Sequence, residues 1–465
     1  MALTTVHQSM RIADLRQTQG RGRHARKTTC HALAAQSNAQ TWGQLPLVVL
    51  KGGKKKMLLG PNPALTLFPG AIDCVIARPP PSIGDPVLVV DGGRESVLAY
   101  GIYNPESTFA VRILEFFGKS DFDGDRAYSG KYLEGLIGAR LRVAAELRTR
   151  ALALGGVTSA WRLCNAEGDN LPGLVVDVFG SVAVVQSSAA WIEARRVVVE
   201  TCLREMGLDV IWRPALDMLA LEGIDIDMDV DMDMNEETQG RKIIVEEHGV
   251  KFEVDPGGQK TGFYCDQRDN RVKIHSIAQG KSVADICCYS GGFGIHAAVG
   301  GARRVVGVDS SQQAVDLAAT NAALNGVDAV CDFVKQDASA WMDAAIDAGE
   351  KFDIVVLDPP KLAPSRKSLV NATRKYVSLN TRAMKLDRDG GILMTCSCSG
   401  AMTQSHTFRS AVIAASAGRA GVQASLLSKA GAGGDHVIDP RYPEGEYLSN
   451  YMVRICTRIS AQERV

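Results

Sequence analysis

The sequence has no surplus of charge of either sign: Lys and Arg number 52 among 465 residues, and Asp and Glu also number 52. That balance excludes a bulk positive field, so any contact with nucleic acid must come from local basic patches. No apolar run is long enough to span a bilayer, and none has the form of a secretory signal. A composition of 46% hydrophobic and 22% charged residues is that expected of a soluble globular protein. The 11 cysteines lack the repeated Cys-x-x-Cys spacing of a zinc site, which points to a reducing compartment and no structural metal. Histidines at metal-ligand or triad spacing are also missing. His248, alone in its tract, reads as a structural hydrogen-bonding residue.

What is present divides along the chain, which is too long for one ordinary core. Residues 1–42 carry Arg11, Arg16, Arg21, Arg23, Arg26 and Lys27 with Asp14 as the sole acid, a composition that reads as an organelle transit peptide, a chloroplast preferred over a mitochondrion, with a disordered basic tail or an RNA-binding arm as the alternatives. From 43 to 118, short apolar runs broken by Gly and Pro (Leu47–Leu50, Ala71–Ala77, Pro86–Val90, Val97–Tyr103, Phe109–Leu114) predict a small barrel. Lys51, Lys54, Lys55 and Lys56 in its first loop suit phosphate contacts or a merely solvated loop. The apolar spacing of Leu133, Leu136, Ile137, Leu141, Ala144 and Leu147 predicts a helix over 130–154, opening an α+β unit over 119–255. Within that unit, Asp alternates with Ile, Met or Val from Ile224 to Glu237. The run lacks the Gly and terminal Glu of a calcium loop and reads as a variable loop or ribbon.

Residues 256–465 alternate strands with helices: Ser282–Ile286, Val305–Val308, Val330–Val334, Ile354–Leu357 and Ile392–Cys396 predict a doubly wound α/β sheet binding its ligand at the carboxyl ends of the strands. Asp285 ends the first strand and is followed by Tyr289, Gly291, Gly292, Phe293 and Gly294, a turn that lets backbone amides approach a ligand closely. Asp309 ends the second strand, where a carboxylate takes ribose hydroxyls, and Asp337 follows the third, where it can orient an adenine. Cys287 and Tyr289 occupy the early glycine positions of a dinucleotide fingerprint. The pocket therefore suits a ligand without a pyrophosphate, such as S-adenosyl-L-methionine. Asp358-Pro359-Pro360-Lys361 ends the fourth strand, and the fifth delivers two thiols, Cys396 and Cys398, into a polar turn. A thiol beside a carboxylate is equipment for covalent attack on a flat heterocycle.

Six segments occur here in the order seen in RlmI-type methyltransferases: Glu246-Glu247-His248-Gly249, Lys260 to Arg271, Asp285 to Gly294, Asp358 to Lys361, Ser397 to Gly400 and Tyr442-Pro443-Glu444-Gly445. The chain resembles that family over nearly everything after residue 43. The resemblance implies an N-terminal PUA domain that binds RNA, a central α+β domain and a C-terminal Rossmann-like methyltransferase domain, acting on carbon 5 of a cytosine in large-subunit ribosomal RNA. It also implies that Cys398 is the nucleophile, with Cys396 left to packing. Asp358 would then hold the amino face or ring nitrogen of the base, and Lys361 and Arg268 would supply a field favouring the thiolate. Lys260, Thr261, Tyr264 and Gln267 look like a lid over the cofactor. Two other readings stay open, a methyltransferase acting on an exocyclic amine and a non-catalytic RNA-binding assembly factor. Oligomeric state is open too, a homodimer included.

Overall fold

The computed structural model describes residues 45–118, 130–224, 241–256 and 263–457. The basic leader, Lys260, Thr261 and the Asp-alternating run beyond Ile224 lie outside them.

Strands β1 (Leu47–Leu50), β2 (Thr66–Leu67), β3 (Ile72–Ile76), β4 (Asp85–Val90), β5 (Val97–Tyr103) and β6 (Val111–Phe116) form one sheet in the order β2-β6-β5-β4-β1-β3. Alternate residues bury opposite faces. Val48, Leu50, Val87 and Val89 fill the core of this sheet, whereas Val49, Leu88, Val90 and Tyr100 pack on Leu133, Ile137 and Leu141 of the helix Gly130–Glu146. That helix is shorter than its periodicity predicts, because Leu147–Ala151 widens into a π turn that carries the buried Arg148. The same core continues into a second sheet, ordered β10-β9-β8-β7, of β7 (Ala160–Asn165), β8 (Leu174–Phe179), β9 (Val182–Ser187) and β10 (Asp209–Pro214).

A hairpin follows, β11 (Ile243–Glu247) and β12 (Val250–Val254), with Glu247 opposite Val250. Its two-residue turn, His248-Gly249, has φ of +50° and +79°, the left-handed pair that matches strand twist. His248 is exposed there, and its backbone N–H donates to the carbonyl of Val157 at 2.6 Å.

The last sheet has seven strands in the order β15-β14-β13-β16-β17-β19-β18: β13 (Ser282–Ile286), β14 (Arg304–Asp309), β15 (Cys331–Lys335), β16 (Phe352–Leu357), β17 (Asp387–Ser397), β18 (Val422–Ala430) and β19 (Ser449–Thr457). The first five are parallel, and all of β13 and most of β16 are buried, so those two strands read as near-continuous apolar runs. Strand β19 runs antiparallel between β17 and β18. The sequence reading of five strands missed this pair. Most of β18 is exposed on the sheet edge, and its mixed Ser, Ala and Lys content carries no strong strand pattern.

Candidate active site

Pairing register brings the chemistry to one end of the sheet. Asp285 is opposite Gly307 on one side and Val356 on the other, and Leu357 is opposite Thr395. Asp358 and Cys398 therefore leave neighbouring strands together, and the Cys398 thiol lies 4.0 Å from the Pro359 carbonyl oxygen. The serines beside the thiol fix its turn. Ser397 donates to the Tyr376 hydroxyl at 2.9 Å, Ser399 Oγ lies 3.1 Å from the same hydroxyl, and Ser399 Oγ accepts from the Ala363 N–H at 3.0 Å. The loop after β16 is thus tied to the loop after β17. Cys396, still inside the strand, is fully buried and accepts from Asn450 Nδ2 at 3.2 Å.

Next to this corner, Cys287 and Tyr289 have φ of +65° and +49°, and Gly291 has +80°. Two non-glycine residues in the left-handed region mark backbone strain of the kind that collects at functional sites. A Cβ on Gly291 would lie 2.9 Å from Ile295 Cδ1 and 3.1 Å from Ala318 Cβ, so the turn has no room for a side chain. Gly294 donates its N–H to Asp285 Oδ2 at 2.8 Å. Asp309 accepts from the N–H groups of Tyr289 and Ser311, each at 3.0 Å, and shapes the same turn. The exposed ring of Tyr264 meets Tyr289 edge-on at 5.3 Å.

The electrostatics of this corner favour a cation. Among the described residues, Asp285 Oδ1 and Asp266 Oδ1 are buried without a hydrogen-bond partner. Burial pushes the Asp285 carboxyl up to about 7, and burial together with the charge of Asp266 raises Asp358 to about 7 as well. Gln267 Nε2 donates to Asp358 Oδ2 at 3.0 Å and partly offsets that shift. Asn270 Nδ2 donates to Gln267 Oε1 at 2.6 Å and to the Gly431 carbonyl at 3.1 Å, so the Gln267 amide is held with its donor toward Asp358. Orphaned carboxylate oxygens beside a glycine cradle and a ribose-type carboxylate fit S-adenosyl-L-methionine, with its sulfonium and ammonium charges. Gly291, Gly294, Asp285 and Asp309 are the groups that would hold it.

Several expectations need correction. Arg268 does not face the thiol. It is buried and bound by both nitrogens to Asp435, at 3.0 and 2.7 Å. The protein's own groups around Cys398 also do not favour a thiolate. Burial, then the charges of Asp358 and Asp266, push Cys398 up to about 11, and the exposed Lys361 opposes them only weakly. The ring of Phe293 packs into the core with Ile274 and Val283, leaving only its backbone at the turn. Asp337 keeps its place after the third strand of the parallel sheet, exposed, and in addition accepts from the Ala340 N–H at 3.0 Å to cap the helix Ala338–Asp347.

Sequence reasoning missed a buried group behind the glycine turn. Glu247 accepts from Arg271 Nε and NH2, both at 2.6 Å, and lies 3.0 Å from His296 Nε2. Arg271 in turn lies over the Phe263 ring at 4.6 Å, and a Cβ on Gly292 would come within 3.1 Å of its Cδ. The tract Glu246 to Gly249 thereby braces the cofactor turn through a side chain 24 residues further on. Spacing alone gives no signal for such a long-range pair.

A family model for S-adenosylmethionine-dependent methyltransferases matches residues 233–417. Ribosomal RNA large subunit methyltransferase I of Aeromonas salmonicida is 36% identical over 412 residues, covering 88% of this chain and 98% of that protein. The protein of the same name from Salmonella schwarzengrund is 34% identical over 425 residues, covering 89% and 99%. Among solved structures, a protein described as an S-adenosylmethionine-dependent methyltransferase from Streptococcus mutans shares the fold, with a TM-score of 0.67 at 16% identity over 88% of this chain and 99% of that one. Another, solved in complex with SAH, gives a TM-score of 0.68 at the same identity and coverage. The parallel sheet with its inserted antiparallel strand, the glycine turn and the relatives matched over nearly their whole length agree: the chain belongs to the family of ribosomal RNA large subunit methyltransferase I, an S-adenosylmethionine-dependent methyltransferase family.

Proposed function

We propose that this protein methylates carbon 5 of a cytosine in large-subunit ribosomal RNA, through a covalent adduct on Cys398. The observation that carries the reading is the thiol itself, free of the strand, in the corner that it shares with the Asp358 carboxyl. An exocyclic-amine methyltransferase needs Asp358 but has no use for Cys398.

Carbon 5 of cytosine is a poor nucleophile until sulfur adds to carbon 6. As the Cys398 sulfur forms that bond, its proton passes to the Asp358 carboxylate and on to ring nitrogen 3, which receives the displaced electron pair. A carboxyl poised near 7 suits both halves of that transfer. S-adenosyl-L-methionine supplies an electrophilic methyl group. When carbon 5 has taken the methyl, nitrogen 3 returns its proton to Asp358. A base then removes the proton on carbon 5, the carbon 5–carbon 6 double bond reforms, and the Cys398 sulfur leaves with the electrons of its bond and takes its proton back from Asp358. The net change is a methyl group for a proton, with Cys398 regenerated. The target base must leave its stack to reach this corner.

The basic, acid-poor leader supports delivery to a chloroplast, or otherwise to a mitochondrion, and the sheet of β1 to β6 supports the PUA assignment. Bisulfite sequencing of organellar ribosomal RNA, with and without the protein and with Cys398→Ala as complement, tests the reaction. Loss of one protected cytosine that the variant fails to restore is the expected result. Protection unchanged in the knockout refutes the reading for that RNA.

A further inference from the structure

The loop and helix that leave Asp358 carry an unusual charge distribution. The 26 residues from Lys361 to Leu386 hold seven cations (Lys361, Arg366, Lys367, Arg374, Lys375, Arg382 and Lys385) and not one acid. Arg382 is paired with Asp343 on the flank of the sheet. Among the described residues, Lys361, Arg366, Lys367, Arg374 and Lys375 are exposed and enter no ion pair. They gather at one end of the helix Leu369–Leu386, and that end is fixed at the active site. Tyr376, in the helix's second turn, is hydrogen-bonded to Ser397 and Ser399 on either side of Cys398.

This placement is not what helix stability selects. The first turn of a helix presents unsatisfied N–H groups and a partial positive charge, and acids are favoured there. Here the first turn has no acid, and Arg366 and Lys367 sit just ahead of it in a turn closed by the reciprocal bonds of Ser365 and Ser368. Crowding five unpaired cations on this end raises their mutual repulsion. A polyanion relieves it. Beyond Tyr376 the cationic rim continues: Phe408 stands between the rings of Tyr376 and Tyr451, and His406, Arg409 and Lys429 line a recess of about 330 Å³ with Tyr451. Glu446 lies 3.7 Å from Lys429, so that side is partly neutralised and the Arg366 to Lys375 side is the stronger.

We propose that Arg366, Lys367, Arg374 and Lys375 form a contact surface for the RNA phosphates that flank the target nucleotide. From Arg366 to Lys375 the 3-10 turn and the first turns of the helix together advance about 15 Å, enough to follow several nucleotides of one strand. The surface holds the backbone while the base turns toward Cys398. It is a local patch of the kind a chain without net charge must use. The inference rests on the RNA-methyltransferase reading given above.

The test is RNA binding by the full-length protein, measured against salt with deproteinised large-subunit ribosomal RNA. R366Q/K367Q and R374Q/K375Q each remove two cations from the surface. K385Q/R419Q removes two exposed cations from the far end of the same layer and serves as the charge-matched control. Each surface variant is expected to lower RNA affinity roughly tenfold and to reduce the slope of log K against log salt by about 1 to 1.5, the loss of two phosphate contacts. S-adenosyl-L-methionine binding and thermal midpoint should match the wild type, and the control should bind RNA normally. Equal loss in the control, or unchanged slopes in both surface variants, overturns the proposal while leaving the reaction intact. A surface that loses polyglutamate binding but keeps RNA binding is a protein-docking site and overturns it as well. A wild-type protein that binds no RNA removes the proposal together with the functional reading.

Discussion

Burial and the neighbouring carboxylates disfavour the thiolate of Cys398, the proposed nucleophile, which makes the cofactor's charge a testable switch. With Cys398 at about 11, only about 0.03% of the thiol is ionised at pH 7.5, far below the few per cent of a free cysteine. The causes are burial and the negative charges of Asp358 and Asp266, so a positive charge entering the same cavity should reverse much of the shift. A sulfonium on the order of 5 Å from the sulfur, at an effective dielectric constant of about 20, is worth ~3 kcal/mol, or ~2 pKa units. That brings the thiol near 9 and the thiolate to a few per cent, a gain of roughly 100-fold. S-adenosylhomocysteine has the same ammonium and carboxylate but a neutral sulfur, and so isolates the sulfonium. The measurement is ultraviolet thiolate absorbance against pH, taken as wild type minus Cys398→Ser, for the free protein and with each ligand. The midpoint should fall by ~2 units with S-adenosylmethionine and by well under 1 with S-adenosylhomocysteine. Equal midpoints with the two ligands would refute electrostatic activation by the cofactor, and the thiol would then depend on Asp358 alone to take its proton as the bond to carbon 6 forms.

Other outcomes follow from the same geometry. Gln267→Leu removes the donor that stabilises ionised Asp358, so the acidic limb of the pH–rate profile should move upward from about 7, whereas an unmoved limb would show that Asp358 does not set it. Gly291→Ala places a Cβ 2.9 Å from Ile295 Cδ1 at a φ of +80°. It should cost ~1–3 kcal/mol in denaturant unfolding and weaken cofactor binding in calorimetry. Glu247→Gln breaks a fully buried pair with Arg271 and should cost ~3–5 kcal/mol. The Glu247 carboxyl is held at about 2 by Arg271 and His296 against burial. Its contribution is therefore present above an unfolded value of ~4.5 and is lost as pH falls toward 2. Thermal melts that show the same acid sensitivity in wild type and Glu247→Gln would exclude this assignment. A fluorescent protein fused to residues 1–42 should enter chloroplasts, and diffuse fluorescence would remove the targeting proposal.

What the sequence disclosed and what it hid follow one physical division. Buried parallel strands are apolar on both faces, so Ser282–Ile286 and Ile354–Leu357 announce themselves, and the residues at their carboxyl ends follow by topology. Asp285, Asp309, Asp358 and Cys398 were legible for that reason. The edge strand β18 was not, because exposure removes the apolar signal that burial imposes. Roles set by contacts far along the chain were equally hidden. Arg268 looked free to polarise a thiol, but Asp435, 167 residues later, claims both of its nitrogens. Asp435 also accepts from the Arg162 N–H, and its carbonyl accepts from Arg148, which ties the loop between β18 and β19 to the central sheet. The same loop supplies the Gly431 carbonyl that orients Asn270, then Gln267, then Asp358. The orientation of the Asp358 carboxyl is thus decided partly by the antiparallel edge of the sheet and its clamp on the central domain. A sequence motif names the residues that touch the substrate, while the charge state in which they meet it is set by partners the motif does not contain.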